Sequence, residues 1–137
     1  MSSEAKTEVS QVVIVDDDEP ILRALGRSLE GEPFELRTTT RPEEALEWVK
    51  AKQVDVLVAD YRMPGQCGID LLREVKRVSP RTSRILLTAH AGEGAVMRGL
   101  GEGLYWLVGK PWDGESLKKV VRWFLRAALP ADLFSEG

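Results

Sequence analysis

The sequence predicts an α/β domain, a doubly wound parallel sheet of five strands with five helices on its two faces. Two patterns predict this. Five short apolar runs, at residues 12–15, 34–38, 54–59, 85–88 and 105–108, alternate with amphipathic segments. That is the rhythm of repeated βα units with right-handed crossovers. The first, third and fourth runs are dense in Val, Ile and Leu with little alternation, as expected of strands covered on both faces. Bulk agrees: 137 residues, 43% of them hydrophobic, suffice for one packed domain.

The elements follow in order. After the first run, Pro20 suits a first helical turn, and Ile21, Leu22, Leu25 and Leu29 fall on one stripe, with Gly31 as a stop. The second run is more polar and predicts an edge strand. Thr40 and Glu43 have capping-box spacing ahead of Ala45, Leu46 and Val49. The third helix is predicted over about 69–78, with Leu71, Leu72, Val75 and Val78 apolar and Pro80 closing it. The fourth, over about 93–100, is crowded by Gly92, Gly94, Gly99, Gly101 and Gly103. Each interior glycine costs roughly 1 kcal/mol against alanine, so this helix is predicted to be the least stable. The fifth starts near Asp113 and carries Leu117, Val120, Val121, Phe124, Leu125 and Leu129.

Composition narrows the function. A net charge of −3 argues against a general nucleic-acid surface. Cys67 is the single cysteine, so no internal disulfide can form, which fits a reducing, cytoplasmic setting. No apolar run approaches the roughly 20 residues of a membrane helix. Residues 1–10 read as a polar, disordered lead without a signal-peptide core, 11–129 as the domain, and 130–137 as a tail too short for an output domain. His90 is the only histidine, which excludes a cluster of two.

Chemistry gathers at the ends of the runs. Asp16 and Asp17 close the first, Asp60 the third and Lys110 the last. Strand carboxyl ends of an open parallel sheet share one edge, where ligands bind. Three carboxylates meeting there repel one another unless a cation joins them, and carboxylate oxygens suit a hard ion such as Mg²⁺. A lysine adds a point charge suited to a phosphoryl oxygen. The simplest chemistry is an aspartate that accepts a phosphoryl group with metal help.

Five pieces in order make the chain resemble the receiver domains of two-component response regulators, the chemotaxis-regulator type included. They are Val15-Asp16-Asp17, then Asp60, then Met63-Pro64-Gly65 with Gly68, then Leu87-Thr88-Ala89, and last Lys110-Pro111. The resemblance covers about residues 11–129. It implies a flavodoxin-like fold with strand order 2-1-3-4-5 and a regulatory rather than enzymatic role. It implies phosphoryl transfer to Asp60 from a sensor histidine kinase or a phosphotransfer protein. Asp17 and Asp60 would hold Mg²⁺ through side chains, Arg62 through its backbone carbonyl, and Asp16 mainly through water or hydrogen bonds. Thr88 and Lys110 would bind phosphoryl oxygens beside the small Ala89. Arg62 and His90 occupy positions that tune hydrolysis of the phosphoryl group. A homodimer or partner contact would use the fourth helix, fifth strand and fifth helix, with no direct role for nucleic acid or membrane.

Bland readings stand beside these. Asp18 and Glu19 favour the first helix's positive end, Asp55 pairs with a lysine or a backbone group, Asp70 lies in the third helix's first turn, and Cys67 is a spare loop thiol. Trp106, Trp112, Trp123 and Tyr105 suggest an aromatic surface cluster. One departure stands out. Receivers often carry Tyr or Phe three residues before the lysine, coupled to the threonine as a switch, and here that position is Leu107. Signalling is then expected to lean on the glycine-rich fourth helix. Two alternatives remain: a haloacid-dehalogenase-type phosphatase, imitated by Asp16-x-Asp18 but followed by Glu19-Pro20, and a receiver-like module that is never phosphorylated.

Overall fold

The computed structural model describes residues 9–63, 65–89, 92–109 and 113–127. Five parallel strands, β1 (Ser10–Val15), β2 (Phe34–Thr39), β3 (Val56–Asp60), β4 (Ser83–Thr88) and β5 (Trp106–Gly109), form a sheet in the order β2-β1-β3-β4-β5. Helices α1 (Glu19–Ser28), α2 (Pro42–Ala51), α3 (Gly68–Val78), α4 (Gly94–Gly101) and α5 (Gly114–Ala127) alternate with them. This is the flavodoxin-like order, and the polar second run is indeed an edge strand. The expectations for residues 1–8 and 128–137, and those for Pro64, His90, Lys110, Pro111 and Trp112, lie outside the described residues.

Successive strand residues point to opposite faces, and two cores result. Val13, Val15, Leu57, Ala59 and Leu86 pack with Ala45, Val49, Leu71, Leu72, Val75 and Val96 under α2, α3 and α4. Val12, Ile14, Val56, Val58, Ile85 and Leu87 pack with Leu22, Leu25, Leu117, Val121 and Phe124 under α1 and α5. The third and fourth runs lack alternation because both of their faces are covered.

Three local expectations need correction. Ile21 is not on the buried stripe of α1 and is 36% exposed, because the helix seats on Leu22 and Leu25, with Leu29 just past its end. Thr40 and Glu43 form no capping box. Pro42 holds Arg41 extended, at ψ 112°, as a residue before proline tends to be, so Arg41 rather than Thr40 takes the cap position. Thr39 serves instead, its hydroxyl donating to Glu44 and accepting the Arg41 N–H. Tyr105 is not part of a surface cluster. It is 4% exposed and its Oη donates to the Val96 carbonyl at 2.7 Å. Trp106 and Trp123 are the exposed pair, in edge-to-face contact with each other and with Phe124.

The bland readings hold elsewhere. Asp18 caps α1 by accepting the Ile21 N–H at 3.1 Å, Asp113 caps α5 through Ser116 N–H, Asp55 accepts the Gln11 N–H at 2.7 Å, and Asp70 lies in the first turn of α3.

Candidate functional site

The register brings the strand ends level. Val15 lies opposite Ala59, Asp60 opposite Leu87, and Thr88 opposite Gly109. Asp16, directly after β1, therefore stands beside Asp60, the last residue of β3. Carboxylate oxygens of Asp16, Asp17 and Asp60 all lie within 4.8 Å of one another. Asp16 and Asp60 are buried at 2% and 6% exposure, and Asp17 is open to solvent. Asp16 Oδ1 also accepts the Asp18 N–H at 2.9 Å, which turns the chain toward α1. Asp18 itself is exposed and caps α1 through Oδ1.

The donor set fits a hard divalent cation: oxygen only, anionic, and open on the Asp17 side. Burying two carboxylates this close is costly unless they are compensated, and a cation that keeps several waters matches the open side. Thr88 ends the neighbouring strand β4 and is also buried, so a hydroxyl borders the acidic cluster. Ala89 follows it and is exposed. Lys110, whose strand ends at Gly109 next to Thr88, lies outside the described residues, as does His90.

The loop after Asp60 is built tightly. The Tyr61 N–H donates to the Leu87 carbonyl and its own carbonyl accepts the Gly68 N–H, both at 2.9 Å. Gly65 adopts φ +83°, which favours glycine. Gly68 is required for another reason: a Cβ there would run into the backbone carbonyl of Asp60, lying 3.0 Å from its carbon. An open groove lined by Asp17, Tyr61, Arg62, Met63 and Cys67 leads from this loop to the acidic cluster.

One contact beside the site, outside the acidic cluster itself, was not legible beforehand. Glu93, at the cap position of α4, receives Tyr61 Oη at 2.9 Å and Arg62 Nη2 at 2.6 Å. The hydrogen bond to this carboxylate, and then burial, raise the Tyr61 phenol above its ordinary pKa. No local pattern marks Glu93, because its partners lie 31 and 32 residues away. Leu107 packs half-buried into the core that holds Tyr105 and Val96, so the ring on this side of β5 belongs to Tyr105.

The family model of the response regulator receiver domain matches residues 12–122. The chain is 36% identical over 102 residues to the DNA-binding transcriptional regulator NtrC of Escherichia coli, covering 74% of this chain and 22% of that protein. It is 35% identical over 123 residues to the phosphate regulon transcriptional regulatory protein PhoB of Rhizobium meliloti, covering 88% of this chain and 54% of that protein. The chain thus spans about a fifth to about half of these relatives. Among solved structures, the signal receiver domain of an HD domain-containing protein from Pseudomonas fluorescens superposes with a TM-score of 0.79 at 28% identity, over 89% of this chain and 90% of that one.

Proposed function

The chain belongs to the response regulator receiver domain family, and from that premise we propose that it is a phosphorylation-controlled switch whose acceptor is Asp60. The observation that carries this is the meeting of Asp16, Asp17 and Asp60 within 4.8 Å at the carboxyl edge of the sheet. Asp60 is the one of the three that ends a central strand beside Thr88.

A carboxylate oxygen of Asp60 attacks the donor's phosphorus. The new O–P bond forms as the P–N bond of a phosphohistidine, or the P–O bond of acetyl phosphate, breaks, and the leaving group keeps the electron pair. The transition state is loose, so positioning and charge compensation do most of the catalytic work. Mg²⁺ held by Asp16, Asp17, Asp60 and the Arg62 carbonyl would offset charge on the carboxylates and phosphoryl oxygens. The Thr88 hydroxyl donates to one phosphoryl oxygen and Lys110 pairs with another, while Ala89 leaves them room. Arg62 and His90 tune its hydrolysis. A sensor histidine kinase or phosphotransfer protein supplies the phosphoryl group in the cytoplasm.

The domain is regulatory, and its own chemistry is limited to self-phosphorylation from small donors and slow self-dephosphorylation. The exposed Trp106 and Trp123 support a contact face on β5 and α5, continuous with α4, for a partner or a second copy. No helix among the described residues is long and apolar enough to cross a membrane.

Intact mass after incubation with Mg²⁺ and acetyl phosphate tests the acceptor. One added phosphoryl group on the wild type, absent from Asp60→Ala and from samples with excess chelator, is the expected result. No addition to the wild type, together with no binding of beryllofluoride, would leave a module that binds partners without being phosphorylated.

A further inference from the structure

The two residues after Asp60 both end on one carboxylate of α4. Tyr61 Oη donates to Glu93 Oε1 and Arg62 Nη2 to Glu93 Oε2, while the guanidinium also lies 5.3 Å over the Tyr61 ring. The base of this grip is rigid, because the Tyr61 backbone is bonded to β4 on one side and to the start of α3 on the other. The far side is not. Helix α4 spans eight residues, buries only Val96 and Gly99, and contains three glycines. Its other end is tied independently, by Arg73 to Glu102 at 3.0 Å. The first turn of α4 is held by Glu93 on the side of the Asp60 loop and by the Tyr105 hydroxyl on the Val96 carbonyl, and only the first of these ties touches a residue next to the acceptor.

The Arg62–Glu93 pair is largely exposed, 63% and 36% by side chain, and exposed ion pairs are weak. A phosphoryl group is a stronger partner for arginine, offering more charge and a geometry suited to the guanidinium fork. Arg62 stands two residues from the acceptor. Leu107 offers neither the hydroxyl nor the ring for a threonine–aromatic relay, so a different link between acceptor and helix is needed.

We propose that Glu93 is a resting-state stand-in for the phosphoryl group, holding Arg62 until phosphorylation of Asp60 draws the guanidinium away and frees the first turn of α4. This rests on the phosphoacceptor reading above and adds the element that reads it out. The bistable element is the α4 start, and the differential contact is Arg62 to Glu93 in one state and to the phosphoryl group in the other.

The test measures amide hydrogen exchange of residues 94–98 in the full chain, with and without Mg²⁺ and beryllofluoride, alongside intact mass after acetyl phosphate. In the wild type, beryllofluoride should speed exchange there roughly two- to fivefold, the range a surface ion pair can hold closed. Glu93→Gln should exchange at that faster rate already, gain nothing further from beryllofluoride, and still take up one phosphoryl group. Tyr61→Phe, which loses the hydroxyl bond to Glu93 and keeps the Arg62 pair, should fall between. Resting exchange in Glu93→Gln equal to the wild type's overturns the latch, as does beryllofluoride opening that variant as far as the wild type. A wild type that gains no phosphoryl mass overturns the acceptor reading and the latch's trigger with it, and the mass measurement alone identifies that case.

Discussion

Tyr105 occupies the space that a side chain at Gly99 would need. A Cβ on Gly99 would lie 2.7 Å from the Tyr105 Cζ and closer still to its hydroxyl, while that hydroxyl reaches back to the Val96 carbonyl on the same helix. The glycine in the middle of α4 thus has a packing cause: the ring of Tyr105, just before β5, lies directly on the helix backbone. Gly101 meets nothing within 4 Å, and nothing in the structure explains it.

Gly99→Ala should therefore be destabilising although alanine is the better helix former. The propensity gain is about 1 kcal/mol, whereas overpacking costs about 1–3 kcal/mol. A net loss of about 1 kcal/mol is expected from urea denaturation. Tyr105→Phe, lacking the hydroxyl that meets the new methyl first, should recover part of it in the double variant. Strict additivity of the two changes would contradict the contact.

Gly68→Ala should damage the acceptor rather than only the fold. The methyl group has no path except through the Asp60 carbonyl, so the backbone that carries the acceptor must move. Expected outcomes are a loss of about 1–3 kcal/mol in stability and phosphoryl uptake slowed at least tenfold by intact-mass time course. A displacement of 1 Å at a reacting group is enough for such an effect.

Asp17→Ala should separate charge repulsion from cation binding. Asp17 is the solvent-facing member of the acidic trio. Without Mg²⁺ its removal relieves like-charge contact and should raise stability by about 1 kcal/mol, the scale of unit charges near 4 Å in water. With millimolar Mg²⁺ the wild type should gain a melting-temperature increase that the variant lacks. A variant that keeps the Mg²⁺-induced shift would place the cation elsewhere.

Glu32 predicts an acid limit for the packing of α5 on the loop after α1. Its two carboxylate oxygens accept from Arg122 Nε and Nη2 at 2.7 and 2.8 Å, with Lys118 at 3.8 Å. The hydrogen bond from Arg122 holds its pKa below the ordinary 4.5. Folded-state depression means the stabilisation is fully present above the unfolded carboxylate's pKa and fades as pH falls through the folded one. The stability difference between wild type and Glu32→Gln should thus be constant near neutrality and shrink below about pH 4.5, as read by thermal denaturation across pH 3–7.

Arg84 ties two turns together. Its guanidinium donates to the carbonyls of Leu104, Thr82 and Pro80 at 2.6, 2.8 and 3.2 Å, joining the turn before β4 to the turn before β5. Burial lowers its pKa without removing its charge. Arg84→Met strands these carbonyls and should cost about 1–3 kcal/mol. Arg84→Lys should recover only part, because an ammonium cannot span the fork.

Much of this was readable along the chain. Val12 to Val15 and Val56 to Ala59 announce strands buried on both faces, and in a parallel sheet whatever follows such strands lies at one edge. Asp16, Asp17 and Asp60 are gathered by that rule alone, because hydrophobic period and chain direction are local properties, whereas Thr88 enters through the family resemblance. Helix caps of a single residue, Asp18 and Asp113, were equally local. At Thr40 two local rules compete, and the proline at 42 wins by setting the backbone before it.

The remainder depends on distances that no window of sequence contains. Whether Ile21 or Leu22 faces the core is decided by a rotation of α1 against the sheet. Whether Tyr105 joins Trp106 on the surface or turns inward is decided by how the turn leading into β5 packs against α4. Glu93 meets Arg62 and Tyr61 only because the loop after β3 and the start of α4 come together, 31 and 32 residues apart in the chain. Periodicity and terminal chemistry are written residue by residue. Which side chain meets which is settled by close packing, where each helix can seat in only a few ways.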